Sequence, residues 1–370
     1  MGRGLFSQEL EPPQNPGWFS VGTKVACERS SLHHEPDMST LPQRFGVFLN
    51  VENPSGDAHD ARDALEQTLR TAAFADAHGY DEVWVAEHHH SGFAIGSAPA
   101  VLLAQIAART ARVRLGTGAS LLALNDPVRV AEEIATLDLL SGGRVEFGVA
   151  RGGPFPEQYR QAGLPSAEVA RARTFEALAL VQRLWREPST RFHGEFFRYD
   201  DIAIHPRPLQ QPVPVWLASL SGDALRLAAE HGYGLMATPS ADLAAVAAQV
   251  AAERARRGDF PFAIARFFHC EDDDRRAIAH GVAAVRDYPR LMEVRFAPDK
   301  LPPMFAPDAS DAVIVGNAVI GDPARCVAQI RRLAASLGPH RLLLKPAAHD
   351  PETGRAALAR LAGALGLAGT

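Results

Sequence analysis

Eight short apolar segments recur along this chain, and longer amphipathic segments rich in alanine and leucine separate them. The apolar segments have the length and composition of buried β-strands, and the longer segments have helical periodicity. This alternation predicts parallel strands joined by helical crossovers. The predicted strands are residues 45–49, 82–86, 113–117, 145–149, 213–218, 234–237, 262–268 and 341–344, and the predicted helices are 61–78, 98–110, 128–140, 167–185, 222–230, 243–257, 275–288 and 323–337.

Eight strands with eight helical crossovers favour one α/β domain, a single (β/α)8 TIM barrel over residues 43–370, instead of a doubly wound sheet. Two insertions interrupt the alternation. Residues 192–214 predict a proline-punctuated hairpin, and residues 291–320 are too long for an ordinary loop, so they need a function. Residues 1–42 contain scattered prolines and no periodicity, which predicts either a disordered tail or a start annotated too early, with Met38 as the true start.

Composition narrows the class of partner. The formal net charge is −5, and no basic cluster is interleaved with aromatic residues, which argues against nucleic acid and against an anionic membrane surface. No apolar run reaches the roughly 18 residues of a membrane span. Cys27, Cys270 and Cys326 are far apart and form neither a disulfide framework nor a metal-ligand motif, which predicts a cytoplasmic protein. We expect a small-molecule partner.

The sharpest motif is Glu87-His88-His89-His90, directly after the second predicted strand. Barrels of this type keep their chemistry at the carboxyl ends of the strands. An imidazole can act as an acid or a base near neutral pH, and a neighbouring carboxylate can set its tautomer, so Glu87 and His88 are the candidate catalytic residues. A metal site is the weaker interpretation because adjacent residues of an extended segment point to opposite sides. The third interpretation of the motif is a surface turn with structural histidines.

Small and polar residues follow the other strands. Residues 116–120, Gly-Thr-Gly-Ala-Ser, could let the backbone approach a flat ligand closely, or could simply form a turn. Arg151, followed by Gly152, suits either anion binding or a salt bridge at the barrel rim. Ser219 and Ser221 precede the fifth predicted helix, where hydroxyl and amide groups could hold a phosphate or form an ordinary helix cap.

Taken together, these segments resemble the flavin-dependent luciferase-like monooxygenases, with the alkanal monooxygenase α subunit of bacterial luciferase as the nearest member. The resemblance covers about residues 44–362. Its motifs are the Glu-His-His strand end, Leu-Gly-Thr-Gly-Ala at 115–119, the helix at 126–138, Leu-Ser-Gly-Gly-Arg at 140–144, Arg-Gly at 151–152, Ala-Ala-Glu-His-Gly at 228–232 and Gly-Asp-Pro at 321–323.

The resemblance implies a (β/α)8 barrel that binds FMN as FMNH2, and a homodimer. It implies that a separate flavin reductase supplies FMNH2 and that O2 then oxygenates a small organic substrate through a flavin hydroperoxide. Residues 291–320 match the family's active-site lid. The chain has no Gly-x-Gly-x-x-Gly turn after a predicted strand, which agrees with a reductase on another chain.

The family's functional residues carry over position by position. His88 matches the active-site histidine and Glu87 lies beside the flavin ring. A non-proline cis peptide joins the pair that matches Gly118 and Ala119, under the ring. The cofactor-binding residues that the resemblance implies are Gly118, Ala119, Arg151, Gly152, Arg173 (with Arg171 as the alternative), Ser219, Leu220, Ser221 and Gly222.

Two other functions stay open. A deazaflavin-dependent dehydrogenase would share the barrel, and so would a non-catalytic flavin-binding subunit. Intact Glu87 and His88 argue against the non-catalytic subunit.

Overall fold

The computed structural model describes residues 41–368, with residues 154 and 349 excepted. Residues 1–40 of the predicted tail, the candidate start Met38 and Cys27 lie outside this range. The strands are β1 (Arg44–Leu49), β2 (Glu82–Val85), β3 (Arg114–Thr117), β4 (Ser120–Leu121), β5 (Val145–Ala150), β6 (Thr190–His193), β7 (Arg198–Ile202), β8 (Val215–Leu217), β9 (Gly234–Ala237), β10 (Phe262–Cys270), β11 (Val319–Gly321) and β12 (Arg341–Pro346). The helices are α1 (Ala61–Ala77), α2 (Pro99–Arg109), α3 (Pro127–Leu140), α4 (Pro156–Gln161), α5 (Ala167–Arg186), α6 (Gly222–His231), α7 (Leu243–Arg257), α8 (Asp274–Leu291), α9 (Asp311–Gly316), α10 (Pro323–Leu337) and α11 (Pro351–Leu365).

Eight of these strands form a closed parallel barrel in the order β1, β2, β3, β5, β8, β9, β10, β12, and β12 pairs again with β1. The predicted TIM barrel is therefore confirmed. β4 pairs with the end of β5, and β11 pairs with the last residues of β10, outside the barrel order. The predicted hairpin is present as the antiparallel pair β6 and β7.

Two tryptophans fill the barrel interior and account for two glycines. A Cβ on Gly116 would lie 2.1 Å from the Trp84 ring, and one on Gly234 would lie 2.3 Å from the Trp216 ring. Both indoles are buried and meet edge to face at 6.0 Å. The interpretation of Gly116 as a place for close ligand approach is therefore corrected, because this glycine leaves room for Trp84.

Buried charges close the amino-terminal end of the barrel. Glu82 and Glu146 are almost fully buried, and Arg341 Nη1 lies 2.6 Å from Glu82 Oε1 and 3.1 Å from Glu146 Oε1. The indole N–H groups of Trp84 and Trp216 donate to these two carboxylates at 2.8 and 2.6 Å. Buried polar groups must be paired in this way to avoid a large desolvation cost. The carboxyl-terminal end of the barrel therefore remains available for an active site.

The segment between α8 and β11 was expected to be a long functional loop. It contains two 3-10 turns, Pro298–Lys300 and Pro303–Phe305, followed by α9. Met304 and Ile314 pack with Phe267 of β10 in a hydrophobic cluster. No helix in the described part of the chain combines the length and apolar character required to cross a bilayer.

Candidate active site

The predicted site residues follow four strands that are consecutive around the barrel, namely β2, β3, β5 and β8. His88 follows β2, Ala119 follows β3, Arg151 follows β5 and Ser219 follows β8. Neighbouring strands lie about 4.8 Å apart, so three steps cover about 14 Å of the rim. One elongated ligand could therefore contact all four strand ends.

A cavity of about 210 Å³ lies between the ends of β5 and β8 and the helix α5. Arg151 Nη1 donates to the carbonyl of Ala167 at 3.4 Å, at the first residue of α5. Gly152 has a φ of 111°, which favours glycine, and a Cβ there would meet the Tyr159 hydroxyl at 3.2 Å. The polar and charged residues that line the cavity include Arg151, Arg171, Thr174, Ser219 and Ser221.

The second arginine of this cavity is Arg171, which the resemblance gave as the alternative to Arg173. The guanidinium of Arg173 instead lies over the ring of Phe197, 4.6 Å from its centroid. The two residues are two positions apart on α5, so they point in different directions around the helix axis. The structure thus places Arg171 at the cavity and Arg173 on the hairpin side of α5.

The start of α6 forms the other wall. Ser221 is the N-cap residue, and its hydroxyl accepts from Ala224 N at 3.4 Å, so the helix-cap interpretation is correct. Ser219 Oγ accepts from Ser221 N at 3.2 Å, and the carbonyl of Leu220 accepts from Gln249 Nε2 at 2.6 Å. The first turn of a helix also leaves backbone N–H groups without intrahelical acceptors, beginning here at Gly222. An anion in the cavity would meet these groups and the positive end of the helix dipole.

The peptide between Gly118 and Ala119 is cis, as the resemblance implied. Gly118 N donates to the carbonyl of Val85 at 2.7 Å, which ties this turn to the end of β2. Ala119 is buried. The turn thus lies between the histidine motif and the arginine cavity along the rim.

Glu87 is 5% exposed, and both of its carboxylate oxygens have partners. Oε1 accepts from His89 Nε2 at 2.9 Å and from Asn125 Nδ2 at 2.8 Å, while Oε2 accepts from Leu121 N at 3.1 Å. The carboxylate therefore fixes the loop after β3 and orients His89. The carboxylate is thus a partner of His89, where the sequence had predicted His88, and the contact with Asn125 was not predicted.

His88 lies at a second cavity, of about 310 Å³, and its ring meets that of Phe155 edge to face at 5.3 Å. Burial, with smaller effects of His89 and Lys345, lowers the pKa of His88 to about 4. The imidazole is therefore neutral at pH 7 and can donate or accept a hydrogen bond. Met292 and Arg295, from the segment after α8, line the same cavity.

A buried ion pair between Lys345 and Glu52 lies at the mouth of the barrel. Lys345 is 2% exposed, and its Nζ lies 2.7 Å from Glu52 Oε1. The same ammonium lies 4.4 Å from the ring centroid of Tyr288, which comes from α8. Burial and the Glu52 charge raise the pKa of Tyr288. Glu52 was not predicted as a site residue. It follows β1 by three residues, so its position near a strand end was the sequence feature that could have indicated it.

The chain belongs to the luciferase-like monooxygenase family, whose model matches residues 43–341. A flavin-dependent trigonelline monooxygenase, oxygenase component, from Acinetobacter baylyi is 31% identical over 197 residues, which are 53% of this chain and 54% of that protein. An F420-dependent glucose-6-phosphate dehydrogenase from Kineococcus radiotolerans is 33% identical over 171 residues, 45% of this chain and 50% of that protein. The chain thus spans about half the length of each of these relatives.

The fold also matches solved structures. The crystal structure of monooxygenase RslO1 from Streptomyces bottropensis superposes with a TM-score of 0.75 at 26% sequence identity. The match covers 87% of this chain and 98% of that one. The likeness therefore extends over the whole barrel.

Proposed function

We propose that the protein is the oxygenase component of a two-component flavin monooxygenase, which uses FMNH2 from a separate reductase and O2 to oxygenate a small organic substrate. The observation that carries the proposal is the cavity formed by Arg151, Arg171 and the start of α6. Two guanidinium groups beside a helix N-terminus suit a phosphate group. The relative from Acinetobacter baylyi, named as an oxygenase component, supports the two-component arrangement.

The described residues fit FMN in both of its parts. The phosphate would occupy the arginine cavity, and the flavin ring would lie against the turn at Gly118 and Ala119, between that cavity and His88. Reduced flavin supplies the electrons that activate O2. The protein supplies the binding site, the orientation and the exclusion of water.

Four residues would serve the chemistry at the other end of the site. His88 presents a neutral imidazole that can donate or accept one hydrogen bond toward the substrate or flavin. Phe155 and Met292 make part of the wall apolar, which limits the access of water. Glu87 acts as a positioning residue because its carboxylate holds the loop that follows β3.

A deazaflavin-dependent dehydrogenase is the second candidate function, and the F420-dependent relative favours it. The arginine cavity would accept a phosphate of either cofactor, so the cofactor itself separates the two functions. A non-catalytic flavin-binding subunit is the third candidate function, and its flavin binding would not depend on His88.

The arginine assignment is tested by anaerobic titration of reduced FMN and reduced riboflavin into the wild type and the variants Arg151→Ala, Arg171→Ala and Arg173→Ala. A charge-assisted bond contributes about 1.5–3 kcal/mol, so the first two variants should bind FMN about 10- to 100-fold more weakly. Riboflavin has no phosphate, so its affinity should change little. Arg173→Ala is the matched control, because its guanidinium lies over Phe197.

Equal losses for FMN and riboflavin would contradict phosphate binding in this cavity. A loss in Arg173→Ala with unchanged affinity in Arg171→Ala would show that Arg173 is the second phosphate ligand.

A further inference from the structure

Two histidines and a glutamate meet outside the flavin site, at the carboxyl end of β10. Glu271 Oε1 lies 2.9 Å from His269 Nε2 and 2.6 Å from His280 Nδ1. The three ligand atoms lie within 4.8 Å of one another. His269 and Glu271 have side chains that are 2% and 11% exposed, whereas His280 on α8 is 60% exposed. Two side chains of the cluster, His269 and Glu271, are therefore buried, and the third, His280, is accessible to solvent.

The backbone brings these residues together in two ways. His269 and Glu271 are two positions apart on an extended segment, so their side chains lie on the same face. Gly281 of α8 lets the helix approach β10 closely, since a Cβ there would lie 3.0 Å from His269 Cβ and 2.9 Å from Ile320 Cγ2. His280 precedes this glycine and so reaches the carboxylate.

One neighbouring side chain orients the carboxylate of Glu271. Arg276 Nη2 lies 3.0 Å from Glu271 Oε2, so it orients the carboxylate and leaves Oε1 toward the histidines. His269 Nδ1 is buried and has no hydrogen-bond partner among the described residues. The ring is therefore held through Nε2, the nitrogen that faces Glu271.

We propose that His269 Nε2, Glu271 Oε1 and His280 Nδ1 form a binding site for a divalent transition-metal ion of the zinc type. Two imidazoles and one carboxylate are a ligand set that zinc accepts, with water in the fourth position. Metal bonds of about 2.0–2.1 Å in a tetrahedron place ligand atoms about 3.3 Å apart. The 2.9 and 2.6 Å separations require an expansion of less than about 1 Å, and exposed His280 can supply it.

Binding would replace two hydrogen bonds to Glu271 with metal bonds, so both ligating nitrogens must be free of protons. In neutral imidazole, the proton then sits on the other ring nitrogen. The ion would join the end of β10 to α8, the helix that carries Tyr288 and leads to Met292 at the His88 cavity. The site would therefore stabilise the helix behind the mouth without contacting the flavin.

The test uses the full chain, freed of metal with a chelator, and titrates it with Co²⁺ and Zn²⁺. Co²⁺ reports tetrahedral coordination by its visible absorption, and Zn²⁺ affinity is measured by competition with a chromophoric chelator. The variants are His280→Gln and Glu271→Gln. His193→Gln is the matched control, because His193 is paired with Asp200 at 2.7 Å on the distant hairpin.

We expect the wild type to bind one equivalent more Co²⁺ than His280→Gln, with the tetrahedral spectrum, and to unfold at a higher temperature when Zn²⁺ is present. Both cluster variants should lose more than about 100-fold in affinity, since even outer-shell partners contribute 10- to 100-fold. His193→Gln should behave as the wild type. Metal bound by the chain's other adjacent histidines, His33-His34 and those at 88–90, would be the same in the wild type and the variants. The difference between them therefore reports the cluster alone.

Equal binding by the wild type and both cluster variants would overturn the proposal, and so would an absence of tight binding by the wild type. Because His280 is 60% exposed, its substitution should leave the metal-free fold intact. Circular dichroism without metal checks that point.

Discussion

His88 is a titratable side chain at the barrel mouth whose pKa is changed by its surroundings. Since burial lowers its pKa to about 4, its imidazole is neutral at pH 7 and serves as a hydrogen-bonding group. With a substrate identified by screening, His88→Asn should reduce product formation by about 100-fold or more, because loss of one hydrogen bond positioned toward developing charge costs about 10² to 10³ in rate. Flavin affinity should stay close to that of the wild type.

His78→Asn is the control for this variant, since His78 is also half-buried but lies at the end of α1. The wild-type rate should show no titration of His88 near the ordinary pKa of 6.5. Product formation by His88→Asn at the wild-type rate would instead show that a different group serves the chemistry.

Single residues show where sequence reasoning reached its limit. His88, Arg151 and Ser219 were predictable because each follows a strand, and a barrel gathers strand ends at one mouth. The choice between Arg171 and Arg173 depends on how α5 is rotated about its axis, which the local sequence does not determine. The role of Gly116 depends on Trp84 of the neighbouring strand.

At the scale of elements, α6 combines an ordinary helix cap with one wall of the arginine cavity. Ser221→Ala should lower the free energy of unfolding by about 0.5–2 kcal/mol, as loss of an N-cap does, and should also weaken FMN binding. Ser310→Ala removes a cap with the same 3.4 Å bond from α9, outside the cavity. This control should lower stability without changing FMN affinity, as urea denaturation and anaerobic titration can measure. Equal FMN affinity in both variants would show that α6 does not contact the phosphate.

Most of the long strands and helices were predictable from hydrophobic periodicity, but the 15-residue helix α11 was not predicted, and neither were the short elements β11 and α9. β11 has three residues and pairs only with the end of β10, and α9 has six residues. Segments this short show too few repeats to be recognised. Packing of the region against Phe267 and Met304 determines its structure instead.

At the scale of the whole molecule, the buried charges at the amino-terminal end hold the closed barrel together. Glu82→Gln breaks the pair with Arg341, and loss of one partner of a buried pair costs about 3–5 kcal/mol. We therefore expect a large shift of the urea midpoint. As the control, Glu66→Gln breaks the exposed pair with Arg109 and should shift the urea midpoint little. Equal shifts would mean that the buried network contributes no more than a surface pair.

The closure of the barrel could be predicted from the number of strands and crossovers alone. The buried network could not, because Glu82, Glu146 and Arg341 come from strands that are far apart in the sequence. Only the register of the closed sheet brings them together, for example Glu82 opposite Arg114 and Arg44 opposite Arg341.

The identity of the bound cofactor tests the proposed function most directly. Photoreduced FMN and reduced F420 would be titrated anaerobically into the wild-type protein and allowed to compete for it. The monooxygenase proposal predicts that FMNH2 binds at least about tenfold more tightly, a difference of about 1.4 kcal/mol. Tighter binding of reduced F420 would contradict it and support the deazaflavin-dependent dehydrogenase.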